Sequence, residues 1–253
     1  MTSGLVDWRG WDKIGPDPTI AAWAKAARPV AEAILATTDE AWRSGGTWFV
    51  GVDALPNATD GRLNGAVFPW QVLGLTPVPL HKAQLSTVRP GYPQPSAEEG
   101  AAAFRYRQQR DAAHLDGLLP IGPDRRRMIR EPHAWIVGIP LNPSGEGASP
   151  LVLWEGSHKI MQMALADRLA GYPAEDWADV DITDVYQAAR KEVFKTCSRV
   201  VLSAQPGEAT LLHRLTLHGV APWQDGAEAE DVGRMIAYFR PQLASVAQWI
   251  TGP

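Results

Sequence analysis

The chain has 253 residues, 45% hydrophobic and 21% charged, with a formal net charge of −4 that removes the electrostatic case for a nucleic-acid partner. One cysteine, Cys197, excludes an intrachain disulfide and suits a reducing compartment. The start shows no basic segment leading into an apolar core, and no run spans a bilayer, so a cytoplasmic protein without a membrane partner is expected.

Asp17-Pro18 reads as an N-cap followed by proline in the first helical turn. An Ala-rich helical stretch follows, over about 17–45, with Pro29 predicted to divide it into two helices and Ser44-Gly45-Gly46 to end it. Residues 47–52 read as a strand, 53–79 as loop, and 80–89 as a strand closed by Pro90-Gly91. Phe104-Arg105-Tyr106-Arg107 alternates aromatic and basic residues, which predicts a strand with two unlike faces. Residues 133–141 and Leu151-Val152-Leu153-Trp154 read as strands on either side of a polar loop, 142–149. A helical insertion covers about 158–196, acidic from Asp176 to Asp184, where a lid over a pocket is a natural reading. The last strands fall at 200–202, 209–212 and 235–239. Prolines (21) and glycines (23) favour many turns, and short strands after a helical start predict a jelly roll: an all-β core with flanking helices. No repeat or linker divides the chain, so 1–253 is expected to be a single domain.

The chemistry concentrates in His114-Leu115-Asp116. On an extended strand, residues two apart share a face, so one imidazole and one carboxylate stand side by side. A later histidine, His218, would complete a two-His, one-carboxylate set, which caps one face of an octahedral ferrous ion and leaves three positions open. Structural zinc would want four ligands, usually with thiolates, and only Cys197 is on offer. The plain alternative for the pair is a loop aspartate beside a hydrogen-bonded histidine.

With its neighbours in order, the pattern resembles the phytanoyl-CoA dioxygenase-like branch of the Fe(II)/2-oxoglutarate-dependent oxygenases. His114-Leu115-Asp116 looks like the HxD motif. Residues 150–159 look like the apolar strand ending in Pro-Gly-Ser-His, with Glu155 where proline is usual. Residues 206–219 look like the strand carrying the distal histidine, His218, and 233–238 like the next strand, whose arginine is Arg234. The resemblance covers roughly Leu80 to Pro241; the first eighty residues carry no motif. It implies a double-stranded β-helix (cupin-like jelly roll) with Fe(II) bound by His114, Asp116 and His218. It also implies Arg234 paired with the 2-oxoglutarate carboxylate, the cosubstrate becoming succinate and CO2 as O2 oxidises a small organic substrate. The spacing from His218 to Arg234, 234 − 218 = 16, is longer than the common pattern. Arg240 is the runner-up, and strand parity does not separate it from Arg234. Val220 stands where the family often has serine, so that cosubstrate hydrogen bond is either missing or supplied by another residue, such as Thr216 or Trp223. Asp116 favours hydroxylation, because family halogenases replace that carboxylate with a small residue. Substrate identity and oligomeric state are left open. The competing readings are a non-catalytic metal-binding jelly roll acting as a sensor or scaffold, and a cupin-like iron enzyme without 2-oxoglutarate.

The remaining residues have plainer readings. His213 precedes His218 by five residues, so a regular strand turns it to the opposite face. Gly156-Ser157-His158-Lys159 lacks the second glycine of a nucleophile elbow, and His158 reads as capping the turn. His81 and His133 read as core or edge histidines, His133 with a supporting role in reserve. Arg105, Arg107 and Arg110 read as a solvated strand face before an anion site, and Arg125-Arg126-Arg127 as solvated surface. Trp135, Trp154 and Trp223 flank the iron motifs, as core or as pocket wall.

Overall fold

The computed structural model describes residues 4–97 and 99–252. Eleven strands and six α-helices follow in the order α1 (Gly4–Arg9), β1 (Trp11–Ile14), α2 (Pro18–Thr37), β2 (Trp48–Leu55), β3 (Ala83–Val88), α3 (Ala101–Gln109), β4 (Leu118–Ile121), β5 (Arg126–Ile129), β6 (Trp135–Pro140), β7 (Leu151–Trp154), α4 (Ser157–Leu169), α5 (Thr183–Thr196), β8 (Arg199–Leu202), β9 (Ala209–His213), β10 (His218–Val220), β11 (Arg234–Phe239) and α6 (Val246–Thr251). A short 3-10 helix, Ala174–Asp179, lies between α4 and α5. No helix among the described residues is long and apolar enough to cross a membrane.

The strands form an antiparallel jelly roll. Six make one sheet in the order β1-β9-β6-β11-β3-β2, and three make the facing sheet, β10-β7-β8. Strand alternation gives each sheet two destinations for its side chains. On the six-stranded sheet, Val137, Ile139, Leu211, Met235, Ala237 and Phe239 face outward, against Trp23 and the alanines of α2. On the three-stranded sheet, Val152 and Trp154 face outward, against α4, α5 and α6. Between the sheets only a small apolar cluster remains, built from Ile136, Leu151, Leu153, Leu202 and Leu212. Most apolar burial therefore lies outside the sandwich, and its interior keeps room for polar groups.

Three local expectations are corrected. α2 is one helix that runs through Pro29 and stops at Thr37. The buried stripe Ile20, Trp23, Ala24, Ala27 and Ala31 continues at helical spacing across the proline, so packing on the sheet outweighs the lost backbone donor. Residues 101–109 form a helix, not a strand. Ala101-Ala102-Ala103 is strongly helix-forming, and a four-residue alternation is too short to override it. The insertion lies on the outer face of the small sheet, away from the interior. It is tied to the β4-β5 hairpin by Arg126 to Asp181 and by Arg130, just past β5, to Asp179, so Arg126 of the arginine triplet is part of a clasp. Arg127 joins in, its backbone N–H donating to Thr183 Oγ1 at 2.7 Å.

Candidate metal centre

β10 begins at His218, and the loop leaving α3 is pressed against it. The His114 N–H donates to the His218 carbonyl at 2.8 Å, and the reverse bond is 3.1 Å. Gly219 makes this approach sterically feasible, since a Cβ there would stand 2.0 Å from the Asp111 carbonyl oxygen. Asp111 and Ala112 take positive φ values of 54° and 52°. The Asp111 carboxylate is held by both arms of Arg199, at 2.8 and 2.9 Å. The expected strand through 114–116 does not form. His114 makes an isolated bridge to His218, and Asp116 lies in the turn that follows. That turn closes at Gly117 (φ 86°), where a Cβ would meet the Glu131 carbonyl at 2.3 Å.

The side chains converge despite the different backbone. The donor atoms of His114, Asp116 and His218 lie within 4.8 Å of one another, and no other such cluster of His, Cys, Asp or Glu occurs among the described residues. His114 Nε2 is 3.1 Å from Asp116 Oδ1, and His218 Nε2 is 3.8 Å from Oδ2. Each imidazole turns its Nδ1 to a backbone carbonyl, Ala112 for His114 and Thr216 for His218, both at 2.9 Å. Carbonyls only accept, so Nδ1 carries a proton in both rings; His218 Nε2 presents its lone pair to the centre, while His114 Nε2 hydrogen-bonds Asp116 Oδ1, which also only accepts, and would give up that proton on taking a metal. A carbonyl on Nδ1 is the usual arrangement of metal-binding histidines.

The electrostatics separate the two imidazoles. Burial pushes His218 down to about 4, against the upward pull of Asp116, so its imidazole is neutral at pH 7. Burial also works to lower His114, but its hydrogen bond to Asp116 and the carboxylate charge outweigh this, and the net shift is upward. Asp116 is held well below the usual carboxylate range. Burial opposes ionisation there, and His114 and Arg240 overcome it.

Trp48, Gln84, Tyr238 and Val220 line the cavity over the triad. Arg240 Nη1 donates to Asp116 Oδ2 at 3.0 Å, and its Nη2 donates to Gln84 Oε1. A second cavity shares Leu151 and Tyr238 with the first and contains Arg234. Arg234 is 6% exposed, its Nε has no hydrogen-bond partner, and it makes no ion pair among the described residues. A buried guanidinium without a counter-charge is costly, and here it stands ready for an anion.

Several sequence expectations fall elsewhere. His213 faces away from the triad, stacked near His158 with ring centroids 4.8 Å apart. His133 is buried and His81 contacts Asp53; neither lines the triad cavity. Thr216 commits its hydroxyl to the Gly10 carbonyl, and Trp223 lines neither cavity, so neither replaces the family serine; Val220 leaves that wall apolar. Trp135 packs against Trp70 and Trp154 against Phe194; the tryptophan at the cavity is Trp48. Arg107, on a helix, pairs with Glu99 at 2.8 Å, and Arg110 stacks on Phe194. Gln84 and Trp48 carried no motif. Their signal was parity with Ser86 on paired strands, which needs the register to read.

No protein-family model and no curated protein sequence matches the chain. Among solved structures, the chain is similar to the non-heme alpha ketoglutarate dependent carbocyclase SnoK from nogalamycin biosynthesis. The two are 14% identical over 95% of this chain and 83% of that one, with a TM-score of 0.52. Lower overlaps are found with the epimerase SnoN from nogalamycin biosynthesis (14% identity, 94% and 80% coverage, TM-score 0.48) and with EctD from S. alaskensis (16%, 94% and 73%, 0.46). The SnoK likeness supports the jelly-roll fold; the other two add nothing to it.

Proposed function

We propose that the chain is an Fe(II)- and 2-oxoglutarate-dependent dioxygenase of the phytanoyl-CoA dioxygenase-like branch. It would hydroxylate a small organic substrate with O2 and convert 2-oxoglutarate to succinate and CO2. One observation carries the reading: a His/Asp/His donor face and a buried, uncompensated guanidinium, Arg234, in adjoining cavities inside the same jelly roll.

The residues present fit both groups. His114, Asp116 and His218 would hold Fe(II), with both Nδ1 protons already placed on carbonyls and the carboxylate already ionised. Arg234 would take the distal carboxylate of 2-oxoglutarate through a charge-assisted pair. Bound there, iron and 2-oxoglutarate supply the O2-dependent oxidation that side chains cannot perform. The protein orients and shields: Leu151, Ile136 and Leu212 keep the interior apolar, and Tyr238 lies between the metal face and Arg234. Asp116 fills the coordination position that a halogenase leaves for halide, which supports hydroxylation. The proposal treats 1–253 as one jelly-roll oxygenase domain. Its cytoplasmic setting rests on the single Cys197.

The test is iron-dependent succinate formation in purified protein. His114→Ala and Asp116→Ala should abolish it with far-UV circular dichroism unchanged, and Arg234→Ala should raise the 2-oxoglutarate KM at least about tenfold. A His114→Ala protein that consumes 2-oxoglutarate at the wild-type rate would overturn the assignment.

A further inference from the structure

We infer that Arg240 is a positioning residue for the metal-binding carboxylate, holding Asp116 to one-oxygen coordination. The inference rests on the proposed function. Met235, Ala237 and Phe239 of β11 pack outward, so its even-numbered residues face the sandwich interior; Arg240, one residue past the strand, has the same parity as Arg234, and the two are equally eligible to bind an anion. Their surroundings separate them. Arg234 has no carboxylate partner among the described residues, whereas Arg240 is fixed at both ends.

Its guanidinium spans two side chains, Asp116 and Gln84. Its backbone N–H donates to His81 Nε2 at 3.2 Å. The Arg240 carbonyl lies 3.1 Å from the same His81 Nε2, and His81 Nδ1 faces the Lys82 carbonyl at 2.6 Å and Asp53 at 3.0 Å, so the backbone at Arg240 is held as well as its side chain. The ion pair is largely sequestered, with side-chain exposures of 18% for Arg240 and 12% for Asp116.

The consequence lies in how the two oxygens of Asp116 divide. Oδ2 is taken by Arg240 at 3.0 Å, while Oδ1 faces His114 Nε2 at 3.1 Å. A carboxylate free to rotate could offer both oxygens to an octahedral ion and occupy four positions together with the two histidines. A bidentate cosubstrate and O2 need three positions open. Arg240 keeps the third by occupying the second oxygen. It also brings a positive charge near a dication, which by itself would weaken metal binding, so the inference requires geometry to outweigh charge.

Co(II) titration of the metal-free protein, followed by visible absorption, separates these effects without relying on turnover. Arg240→Lys keeps the charge but cannot bridge Asp116 and Gln84 together, and Arg240→Gln removes the charge. Both should weaken Co(II) binding about tenfold or more and alter the Co(II) spectrum. At saturating Co(II), 2-oxoglutarate affinity should stay within about threefold of wild type. Arg234→Ala should do the reverse, keeping Co(II) affinity and losing 2-oxoglutarate. Wild-type Co(II) affinity with lost 2-oxoglutarate binding in the Arg240 variants would make Arg240 the cosubstrate arginine and overturn the inference. Tighter Co(II) binding in Arg240→Gln with no change in Arg240→Lys would reduce its role to charge and overturn it too. A wild-type protein that takes up no Co(II) would instead sink the proposed function. Should the Arg240 variants not fold, Gln84→Leu loosens the same guanidinium and should weaken Co(II) binding in the same direction; unchanged binding there would count against the inference.

Discussion

Gly219→Ala tests whether the backbone approach of two segments builds the centre. No positive φ is at stake at this residue, so the cost is steric. The new Cβ would lie 2.0 Å from the Asp111 carbonyl oxygen, where real Cβ atoms essentially never come closer than 3.0 Å. The segments must therefore part by at least 3.0 − 2.0 = 1.0 Å. Three backbone bonds cross that gap: His114 N–H to His218, His218 N–H to His114, and Val220 N–H to Asp111. At about 1 kcal/mol each, their loss costs about 3 kcal/mol. For a chain of this size that lowers Tm by about 6–12 °C. A shift of that size also displaces His114 relative to His218, so metal affinity should fall at least about tenfold. Differential scanning calorimetry and Co(II) titration read both effects. Gly171→Ala, with nothing within 4 Å of the added methyl, is the control and should be neutral. A Gly219→Ala protein with wild-type Tm and metal affinity would show that the close approach at Gly219 does not build the centre.

Acidification should destabilise the metal-free protein. Burial depresses His213 to about 3 and His133 and His218 to about 4, from 6.5. Between pH 6.5 and about 4 the unfolded chain binds these protons and the folded chain does not, so stability falls as pH falls through that window. His114, shifted upward, works in the opposite direction but is one group against three. Thermal melts at pH 7.5 and 5.0 should show the lower Tm at 5.0, and an equal or higher value would contradict the assignment. Pro29→Ala restores a backbone donor at an exposed position of α2 and should stabilise the protein by about 1–2 kcal/mol, net of the entropy proline removes from the unfolded chain. A lower Tm in that variant would show that the sheet requires the local bend.

The His/Asp/His cluster was legible because two of its members are two residues apart and the third opens a short strand. The backbone that delivers them was not, since the approach of residues 111–114 to β10 depends on Gly219 and the Arg199–Asp111 pair, 88 residues apart. β7 matched its sequence reading, Leu151–Trp154, because four apolar residues between a proline and Glu155-Gly156 leave little choice. α3 is hard to read from sequence because Phe104 to Arg107 fits either period over so short a window, and the deciding Ala101-Ala102-Ala103 lies just outside it. Arg234 and Arg240 were equivalent by parity. What separates them is Asp116 and Gln84, brought to Arg240 from distant parts of the chain. Trp135 and Trp154, near the motifs in sequence, pack into the outer cores, while Trp48 reaches the cavity through its pairing with Val88 on β3.

An anaerobic titration of the metal-free protein with Fe(II) and then 2-oxoglutarate, following the visible charge-transfer band of a chelated 2-oxo acid, decides whether this chain uses both groups. The band should appear, be lost in His218→Ala and be weakened in Arg234→Ala. Iron binding without the band would contradict that use and favour a jelly-roll iron protein that does not use 2-oxoglutarate.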